Sequence, residues 1–502
     1  MIDYLKRRPM LLCGLCTSAL CVIGFYSRAA IFFLGLMLIF FFSFLLRKGI
    51  CPVYIFVVFM LVATSVSVLT VYNKIDEVSC LDGVTVKGDF AVVEAPVNHG
   101  EYYSAVVKAL DCDGLKDGTR VMVFCNEGTF EYGDKIDATI ELSKISDKYR
   151  ASDYADKIYI TGNMNGVTVY MGEGGFVISR VNMLRRYIVD TLFSNMDYKE
   201  AATVTALTIG DRSYLSDGFY ANLKAAGVSH LMVVSGLHLA IIVSLVSKLI
   251  EKVVYNRYLK AITVLLTVLF MAALCGFTKS IIRAGLCYII YAMSIVLKRD
   301  NTPENTLGAA VTLILIAEPF AILSVSFQLS VLATLGITAA ALPVTKYLKE
   351  NVFKNTMLIY IADLAIVTLS ALLFTLPVTV WVFGYVSTVA VIANILVAYA
   401  VTFALNFAVA GLIFYYIFPL GGQILLVSAS LVTRYVNFVI NMLGSLPFAA
   451  VSLNDYGFIF ALLLLFSVIF VLFACKHRQD VLKLKIMHEK IISEGGGKLK
   501  WR

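Results

Sequence analysis

Long apolar runs separated by short polar breaks make up most of this chain. Runs of about 20 apolar residues, the length that crosses the hydrocarbon core of a bilayer, recur twelve times. They lie at 10 to 26, 29 to 46, 51 to 72, 231 to 250, 261 to 278, 280 to 297, 305 to 322, 324 to 343, 357 to 383, 393 to 416, 422 to 443 and 456 to 474. This pattern predicts a polytopic α-helical membrane protein with about 10 to 12 transmembrane helices.

The apolar period changes to two between residues 73 and 180. Segments such as VTVKGDFAVVEA and DKIDATIEL alternate, with Gly, Asn and Asp at the breaks, which is typical of short antiparallel strands. Five such strands suit a small OB-like β-barrel. The predicted domains are therefore N-terminal transmembrane helices (1–72), a β domain (73–180), a second transmembrane domain (181–474) and a basic tail (475–502).

Composition and charge fix the membrane class and predict the orientation. Hydrophobic residues make up 59% of the chain, and the mean hydropathy is +0.83, which excludes a soluble protein. Lys and Arg gather at the N-terminus, in alternate loops and in the tail. The positive-inside rule therefore predicts cytoplasmic termini and an extracytoplasmic β domain. No small-x-small cleavage site follows the first apolar run, so we interpret it as an uncleaved span.

The β domain and the tail carry opposite charge. Residues 73–180 hold 18 Asp and Glu against 11 Lys and Arg, a net −7, whereas the whole chain carries +8. Because proteins that bind single strands usually present a basic groove with stacking aromatic residues, the acidic balance favours a structural or docking barrel, although aromatic residues keep DNA binding open. The tail has eight Lys and Arg against three acids, which suits contact with anionic membrane lipids.

The cysteines predict no metal site. Three of them, Cys80, Cys112 and Cys125, lie in the β domain, where an oxidising compartment permits one bridge. The preferred pair is Cys112 with Cys125. The other seven lie in or beside apolar spans, where thiols behave as small hydrophobic groups. No metal-ligand spacing is present, and neither a metal nor another cofactor is expected.

Polar residues cluster just before the fourth apolar span. The segment ALTIGDRSYLSDGFYANLKAAGVSHLMVVSGLH contains Asp211, Arg212, His230, Ser235 and His238. Since a polar side chain facing hydrocarbon costs several kcal/mol, such residues usually face a bundle interior or a watery cavity. The segment is therefore the first candidate for a functional site.

This segment resembles the hallmark of the ComEC-type competence proteins, membrane channels through which naturally transformable bacteria take up DNA. The resemblance comprises a Gly-Asp-Arg turn, a Gly-x-x-His helix start and a Ser-Gly-x-His sequence, and here these are Gly210, Asp211, Arg212, Gly227, His230, Ser235, Gly236 and His238. It continues through Ser280, Arg283 and Ala284, Pro319, and the Phe327-Gln328-Leu329-Ser330 string, covering about 180 to 400. The proline that often follows the Asn of this family's Ala-Asn-x-x motif is missing after Asn394.

The resemblance implies a transport channel for single-stranded DNA rather than an enzyme, and a β domain of the OB type at this place. The implied DNA path comprises Asp211, Arg212, His230, Ser235, Gly236, His238, Arg283, Gln328 and Asn394. The chain lacks the His-x-His-x-Asp-His cluster of the metallo-β-lactamase-like domain in which such proteins often end. It also lacks a phosphate-binding loop. The implied partners are an extracytoplasmic DNA receptor, a separate nuclease and a cytosolic DNA-translocating ATPase.

Two functional groups have alternative interpretations. On a continuous helix, His230 and His238 would lie about 12 Å apart along the axis, so shared metal binding needs a break at Ser235-Gly236; the alternative there is a tight helix crossing. The Arg283 guanidinium suits bidentate phosphate contact. It equally suits an ion pair with Asp211 or Glu318, or snorkelling to the interface.

The remaining polar residues also have structural interpretations. Gln328, Ser330 and Asn394 are of the kind that often hold membrane helices together, and Gln328 is the preferred functional candidate. Asp211 and Arg212 occupy a turn between two short amphipathic helices, 199 to 209 and 216 to 226. That turn either frames an entrance at the outer membrane face or is an ordinary capped turn.

Two other functional classes compete with the channel. A membrane-embedded hydrolase would use Ser235 and His238, although three residues apart on one helix they are poorly aligned as nucleophile and base. A secondary transporter of a small anion would use helix breaks at mid-membrane. No inverted repeat is evident, and a small-solute carrier has no need of a large outer domain.

Overall fold

A computed structural model describes residues 9–28, 52–98, 102–126, 130, 132–170, 176–232, 236–251, 256–297, 302–351 and 355–453, with positions 457, 459, 462, 464 and 465. The chain forms two compact units. The first comprises Met1–Val331 and Ser387–Ala450, and the second comprises Leu332–Val386 and Val451–Arg502.

The first unit contains the β-barrel and most of the helices. Its strands are β1 (Thr85–Asn98), β2 (Tyr103–Cys112), β3 (Arg120–Cys125), β4 (Lys135–Ser143) and β5 (Ile160–Tyr170). Its helices are α1 (Pro9–Tyr26), α2 (Pro52–Ser79), α3 (Arg150–Ala155), α4 (Phe176–Asn195), α5 (Tyr198–Ile209), α6 (Asp217–Ala225), α7 (Gly236–Glu251), α8 (Arg257–Leu274), α9 (Lys279–Val296) and α10 (Pro303–Ala317). A first 3₁₀ turn (Ser229–Leu231) precedes α7, and a second 3₁₀ turn (Pro319–Leu323) follows α10.

The chain then passes from the first unit to the second and back again. Helix α11 (Val325–Gly336) leads into a π-helical turn (Ile337–Ala341) and α12 (Leu342–Asn351). Helix α13 (Thr356–Phe383) belongs to the second unit, and α14 (Ala390–Ile417) and α15 (Pro419–Gly444) belong to the first. The short strands β6 (Tyr385–Ser387) and β7 (Ala450–Ser452) pair with each other.

The five strands β1 to β5 form a closed barrel in the order β1-β2-β3-β5-β4. All neighbours are antiparallel except β3 and β5. Along β4, every second residue, from Ile136 through Ala138 and Ile140 to Leu142, is buried in the barrel core, because side chains alternate across a strand. The small five-stranded barrel predicted from period-two alternation is confirmed.

The predicted bridge between Cys112 and Cys125 does not form; the Cys112 thiol instead donates to the Asp89 carbonyl and the Cys125 thiol to the Tyr103 carbonyl. Cys125 lies opposite Tyr103 at the beginning of β2, whereas Cys112 is the last residue of β2. Nine steps along a strand span about 30 Å, and a disulfide needs Cα atoms less than about 7 Å apart. The strand register, which the cysteine spacing does not reveal, therefore corrects this pairing.

The helices agree with the predicted membrane class. Among the described residues, seven helices are long and apolar enough to cross a membrane, and three shorter apolar helices lie at 10–26, 280–296 and 303–317. All ten overlap predicted spans. The predicted span 29–46 and most of 456–474 lie outside the described residues. Helices α1 and α10 cross closely, since a Cβ at Gly308 would lie 2.2 Å from the Met10 carbonyl oxygen.

One predicted element differs in its environment. The sequence predicts an amphipathic surface helix at residues 199–209, but α5 is buried on every side from Glu200 to Ile209. It packs against α4, α14 and α15, because the sequence AATVTALTI offers apolar or small residues on all faces. Helix α6 is amphipathic as predicted, with Leu223 its one buried residue.

Candidate functional site

Four helices begin close together within the first unit. The start of α7 meets α9, where a Cβ on Gly236 would lie 3.3 Å from the Ala284 Cβ. The beginning of α9 is hydrogen-bonded to the beginning of α11 through Arg283 and Ser326. His230, just before α7, lies within hydrogen-bonding reach of Asn394 near the start of α14. Since a helix N-terminus carries about half a positive charge, this region is electropositive. We call it the helix-start cluster and define it by six residues: His230, Gly236, His238, Arg283, Gln328 and Asn394.

Arg283 is the cationic side chain of this cluster. It lies in the second turn of α9 and is only 8% exposed. Its Nη2 atom donates to the Ser326 carbonyl at 3.0 Å and lies 3.3 Å from both the Ser326 and Ser280 hydroxyls. The guanidinium also stands 5.6 Å from the Phe327 ring centroid. All of these partners are uncharged.

Neither carboxylate proposed for Arg283 is its partner. Glu318 instead pairs with Lys157 at 2.8 Å, and Asp211 accepts hydrogen bonds from Ser213. Within the described ranges, the Nε and Nη1 atoms of Arg283 are buried and have no hydrogen-bond partner. A buried cation without a counter-charge costs several kcal/mol. The site therefore favours an anion beside Arg283.

The two histidines are separated by a break in the helix. His230 belongs to the first 3₁₀ turn, and α7 begins at Gly236. The expectation of about 12 Å along one continuous helix therefore does not apply. His238 is fully buried, whereas His230 is exposed.

Gly227 holds the first 3₁₀ turn against α14. Its φ of +72° lies in the left-handed region that favours glycine. A Cβ there would lie 2.6 Å from the Ala390 Cβ and 2.8 Å from the Ser387 Cβ. This close contact brings His230 beside Asn394, whose side chain is 8% exposed. The missing proline after Asn394 leaves α14 continuous from Ala390.

Gln328 occupies the edge of the cluster. Its side-chain amide donates to the Ile322 carbonyl at 2.9 Å, and its backbone N–H donates to the Ser324 carbonyl at 3.0 Å. Both bonds fasten the second 3₁₀ turn to the beginning of α11. In this structure Gln328 shapes the backbone near Arg283.

Asp211 and Arg212 lie apart from these contacts. Asp211 Oδ1 accepts from the Ser213 N–H at 3.0 Å and from its hydroxyl at 2.6 Å, as in a capped turn. The exposed Arg212 donates to the Tyr220 hydroxyl at 3.4 Å. These bonds stay within the turn and α6, and none of them reaches Arg283. Ser235 lies outside the described residues.

One residue of the site, Ser326, was not anticipated from the sequence. Ser326 supplies both a carbonyl and a hydroxyl to Arg283, and its position just before the Phe327-Gln328 string was the available signal. Among the described residues, no group of three His, Cys, Asp or Glu side chains is arranged to hold a metal ion.

Comparison with known proteins adds a family assignment. The family described as "Competence protein" matches residues 207–479, which include the whole helix-start cluster. The protein is also similar to ComE operon protein 3 of Bacillus subtilis (strain 168), with 24% identity over 301 residues. That match covers 60% of this chain and 38% of the relative, so the chain spans well under two thirds of the relative's length. No solved structure matches the chain. Because the family match covers more than half of the 502 residues, the chain belongs to the competence protein family.

Proposed function

We propose that this membrane protein takes part in DNA uptake during competence, and that its helices give single-stranded DNA a path into the cytoplasm. The observation that carries the proposal is Arg283. It is buried, its partners are neutral, and two of its nitrogen atoms have no partner among the described residues. A phosphate of a passing strand supplies the missing negative charge.

The surroundings of Arg283 fit weak, repeated phosphate binding. Four helix starts add partial positive charge, and His230 and Asn394 add neutral groups at the same end. A polyanion cannot cross hydrocarbon unless donors replace the water around each phosphate. Conduction also requires that each binding step stay weak enough for release. One arginine amid dipoles and neutral donors meets both needs better than a row of cations.

We propose that other proteins complete such a process. The chain contains no phosphate-binding loop, so we propose that a cytosolic ATPase drives movement. A separate nuclease would remove the complementary strand, and an extracytoplasmic receptor would deliver DNA. The protein then acts as a transporter, with both termini in the cytoplasm and the barrel outside.

The test replaces Arg283 in the natural host. A hydrogen bond to a charged group contributes about 1.5 to 3 kcal/mol, so Arg283→Ala should lower the transformation frequency with linear DNA by roughly ten- to a hundredfold. Arg283→Lys, which keeps the charge but loses the planar fork, should fall between. Labelled DNA should still bind the cell surface, and the amount of protein in the membrane should be unchanged.

Lys116→Ala is the matched control. Lys116 is an exposed cation on the barrel, paired with Glu77, and its loss should leave transformation at the native level. Normal transformation by an Arg283→Ala protein that is present at native abundance would contradict the proposal.

The buried arginine also suits a small anion, so an anion transporter is the second candidate. The two functions differ in what competes for the site. Long unlabelled DNA should suppress uptake of labelled DNA, whereas nucleotides or inorganic phosphate at matched phosphate concentration should not. Competition by the small anions would favour the transporter.

A further inference from the structure

We propose that Lys157 of the barrel and Glu318 of the helical region act as positioning residues for Arg283. This inference rests on the proposed function and extends it, because it assigns the barrel a role at the site. The two side chains form an ion pair of 2.8 Å. Glu318 stands eight residues before Ser326, which holds Arg283.

Lys157 adopts an unfavourable backbone conformation at this place. It follows helix α3 with a φ of +61°, the left-handed conformation in which helices usually end on glycine. The Asp156 and Ile158 N–H groups both bond the Asp153 carbonyl around it. A glycine would adopt this conformation without strain, but only a long cationic side chain reaches Glu318. The strained residue is therefore the one that forms the ion pair between the barrel and the helices.

Aromatic rings hold the same two segments together. Tyr154 of α3 stacks on Phe320 of the second 3₁₀ turn, with centroids 6.1 Å apart and planes 21° apart. Phe320 is 2% exposed and meets Phe25 and Tyr72 edge-on. Such aromatic pairs add to the burial of apolar area. Helix α3 and the residues just after it thus contact the second 3₁₀ turn through one ring stack and one ion pair.

Hydrogen bonds lead from Glu318 to Gln328, and two residues of chain connect Gln328 to Ser326, which accepts from Arg283. The Glu318 carbonyl accepts from Ala321, the Ala321 carbonyl from Ser324, and the Ser324 carbonyl from Gln328. The Gln328 amide also donates back to Ile322. Ser326 and Gln328 are the two neighbours of Phe327 in the sequence. A shift of Glu318 therefore moves the carbonyl and hydroxyl that orient the Arg283 guanidinium.

The barrel consequently does more than dock. Its net negative charge disfavours DNA binding. Its contact with Glu318, however, fixes the backbone around Ser326, which orients Arg283. Whatever moves α3, whether a receptor or an incoming strand at the barrel, changes the position of Ser326. Specific ion pairs across such contacts set register more than they add stability.

Charge reversal tests the pair. Lys157→Glu places two carboxylates together, and Glu318→Lys places two cations together, so each should lower transformation by about two- to fivefold, the equivalent of a partly exposed ion pair. The double variant K157E/E318K restores the attraction and should recover native transformation. Conservative Lys157→Arg should also stay near the native level.

Lys116→Glu is the matched control for these reversals. Lys116 also pairs with a carboxylate at 2.8 Å, but its partner is Glu77 of α2 rather than a residue beside the second 3₁₀ turn. Its reversal should leave transformation unchanged. An equal loss in this control, or a charge swap that fails to restore transformation, would overturn the inference.

Combination with Arg283→Ala separates positioning from general destabilisation. If the pair acts through Arg283, Lys157→Glu should cost no further transformation in the Arg283→Ala background, which lacks the guanidinium. Independent effects would multiply instead and would overturn the inference. Native transformation by Arg283→Lys and Arg283→Ala alone would defeat the proposed function, whereas their expected losses with no effect of the reversals would defeat only the role of Lys157 and Glu318.

Discussion

Gly227 is the residue on which the placement of His230 most directly depends. Substitution by Ala adds a Cβ within 2.6 Å of Ala390 at a φ of +72°. Strain at positive φ and overpacking together should lower the free energy of unfolding by about 1 to 3 kcal/mol. The melting temperature of the purified protein should fall, and transformation should fall with it because His230 leaves Asn394.

Gly83 supplies the control for that substitution. It has a φ of +78°, yet a Cβ there meets nothing within 4 Å. Gly83→Ala should therefore cost only the backbone strain, about 1 kcal/mol. Equal losses of melting temperature in the two variants would show that the contact with Ala390 contributes nothing.

We expect the Tyr159 phenol, beside the contact between the barrel and the helices, to make the stability of the protein depend on pH. Burial raises the pKa of its phenol to about 12, and the Glu318 carboxylate and Tyr154 act in the same direction against the opposing effect of Arg120. The neutral phenol is therefore favoured in the folded protein. Its stabilising contribution is complete below about pH 10, the usual tyrosine value, and is lost as pH rises toward 12.

The measurement is the melting temperature of wild type and Tyr159→Phe between about pH 9 and about pH 11.5, the range around the ordinary tyrosine pKa. Wild type should lose stability more steeply over this range, because the phenylalanine ring of the variant has no proton to release. Parallel curves would contradict the assignment. The ultraviolet difference absorbance of ionised tyrosine should likewise show one fewer late-titrating phenol in the variant.

The residues of the site differ in how far the sequence could identify them. Arg283, His230, His238 and Asn394 are predicted because polar side chains in or beside apolar spans are rare and costly and because they match the family motifs. The partners were not found, since Ser326 contacts Arg283 across 43 positions. Such pairings depend on how helices pack, which periodicity along one helix does not specify.

At the scale of elements, one face of α15 carries polar groups toward α5 and α6. Arg434 bonds Glu200, Asn437 bonds Thr203, and Asn441 bonds Asn222. Hydrogen bonds between membrane helices contribute about 0.6 kcal/mol each. The row therefore fixes how α15 is rotated about its axis more than it adds stability.

Arg434→Met tests this row. The Glu200 side chain is 9% exposed, and loss of its partner leaves a nearly buried carboxylate, which should cost about 1 to 3 kcal/mol. Adding Glu200→Gln removes that charge and should regain much of the loss in melting temperature. No recovery in the double variant would indicate that Arg434 stabilises through Asp197 instead.

The elements themselves were largely predictable, and their environments were not. The alternation of apolar and polar residues through Ile136 and Ile140 indicates a strand with one buried face, so the barrel could be predicted from the sequence. Helix α5 is predicted at the surface because the sequence does not reveal that α14 and α15 cover its other faces. The Cys112–Cys125 pairing failed for a similar reason, since strand register depends on the neighbouring strand.

At the scale of the whole molecule, charge is segregated along the chain. The interval 73–180 carries −7, while the chain as a whole carries +8. Short loops that are rich in Lys and Arg tend to lie on the cytoplasmic side of the membrane. Because α3 of the barrel contacts the turn that leads into α11, we expect the barrel and the helix-start cluster at the same membrane face.

That arrangement makes the orientation testable as one prediction. In a protein without its ten native cysteines, Asp117→Cys in the barrel should react with a membrane-impermeant maleimide on intact cells. Asn256→Cys, at the opposite end of α7 and α8, should react only after permeabilisation. The reverse result, with Asn256→Cys labelled on intact cells and Asp117→Cys labelled only after permeabilisation, would place the barrel inside. The cluster around Arg283 would then face the cytoplasm, and it would meet a strand at the exit from the membrane rather than at the entrance.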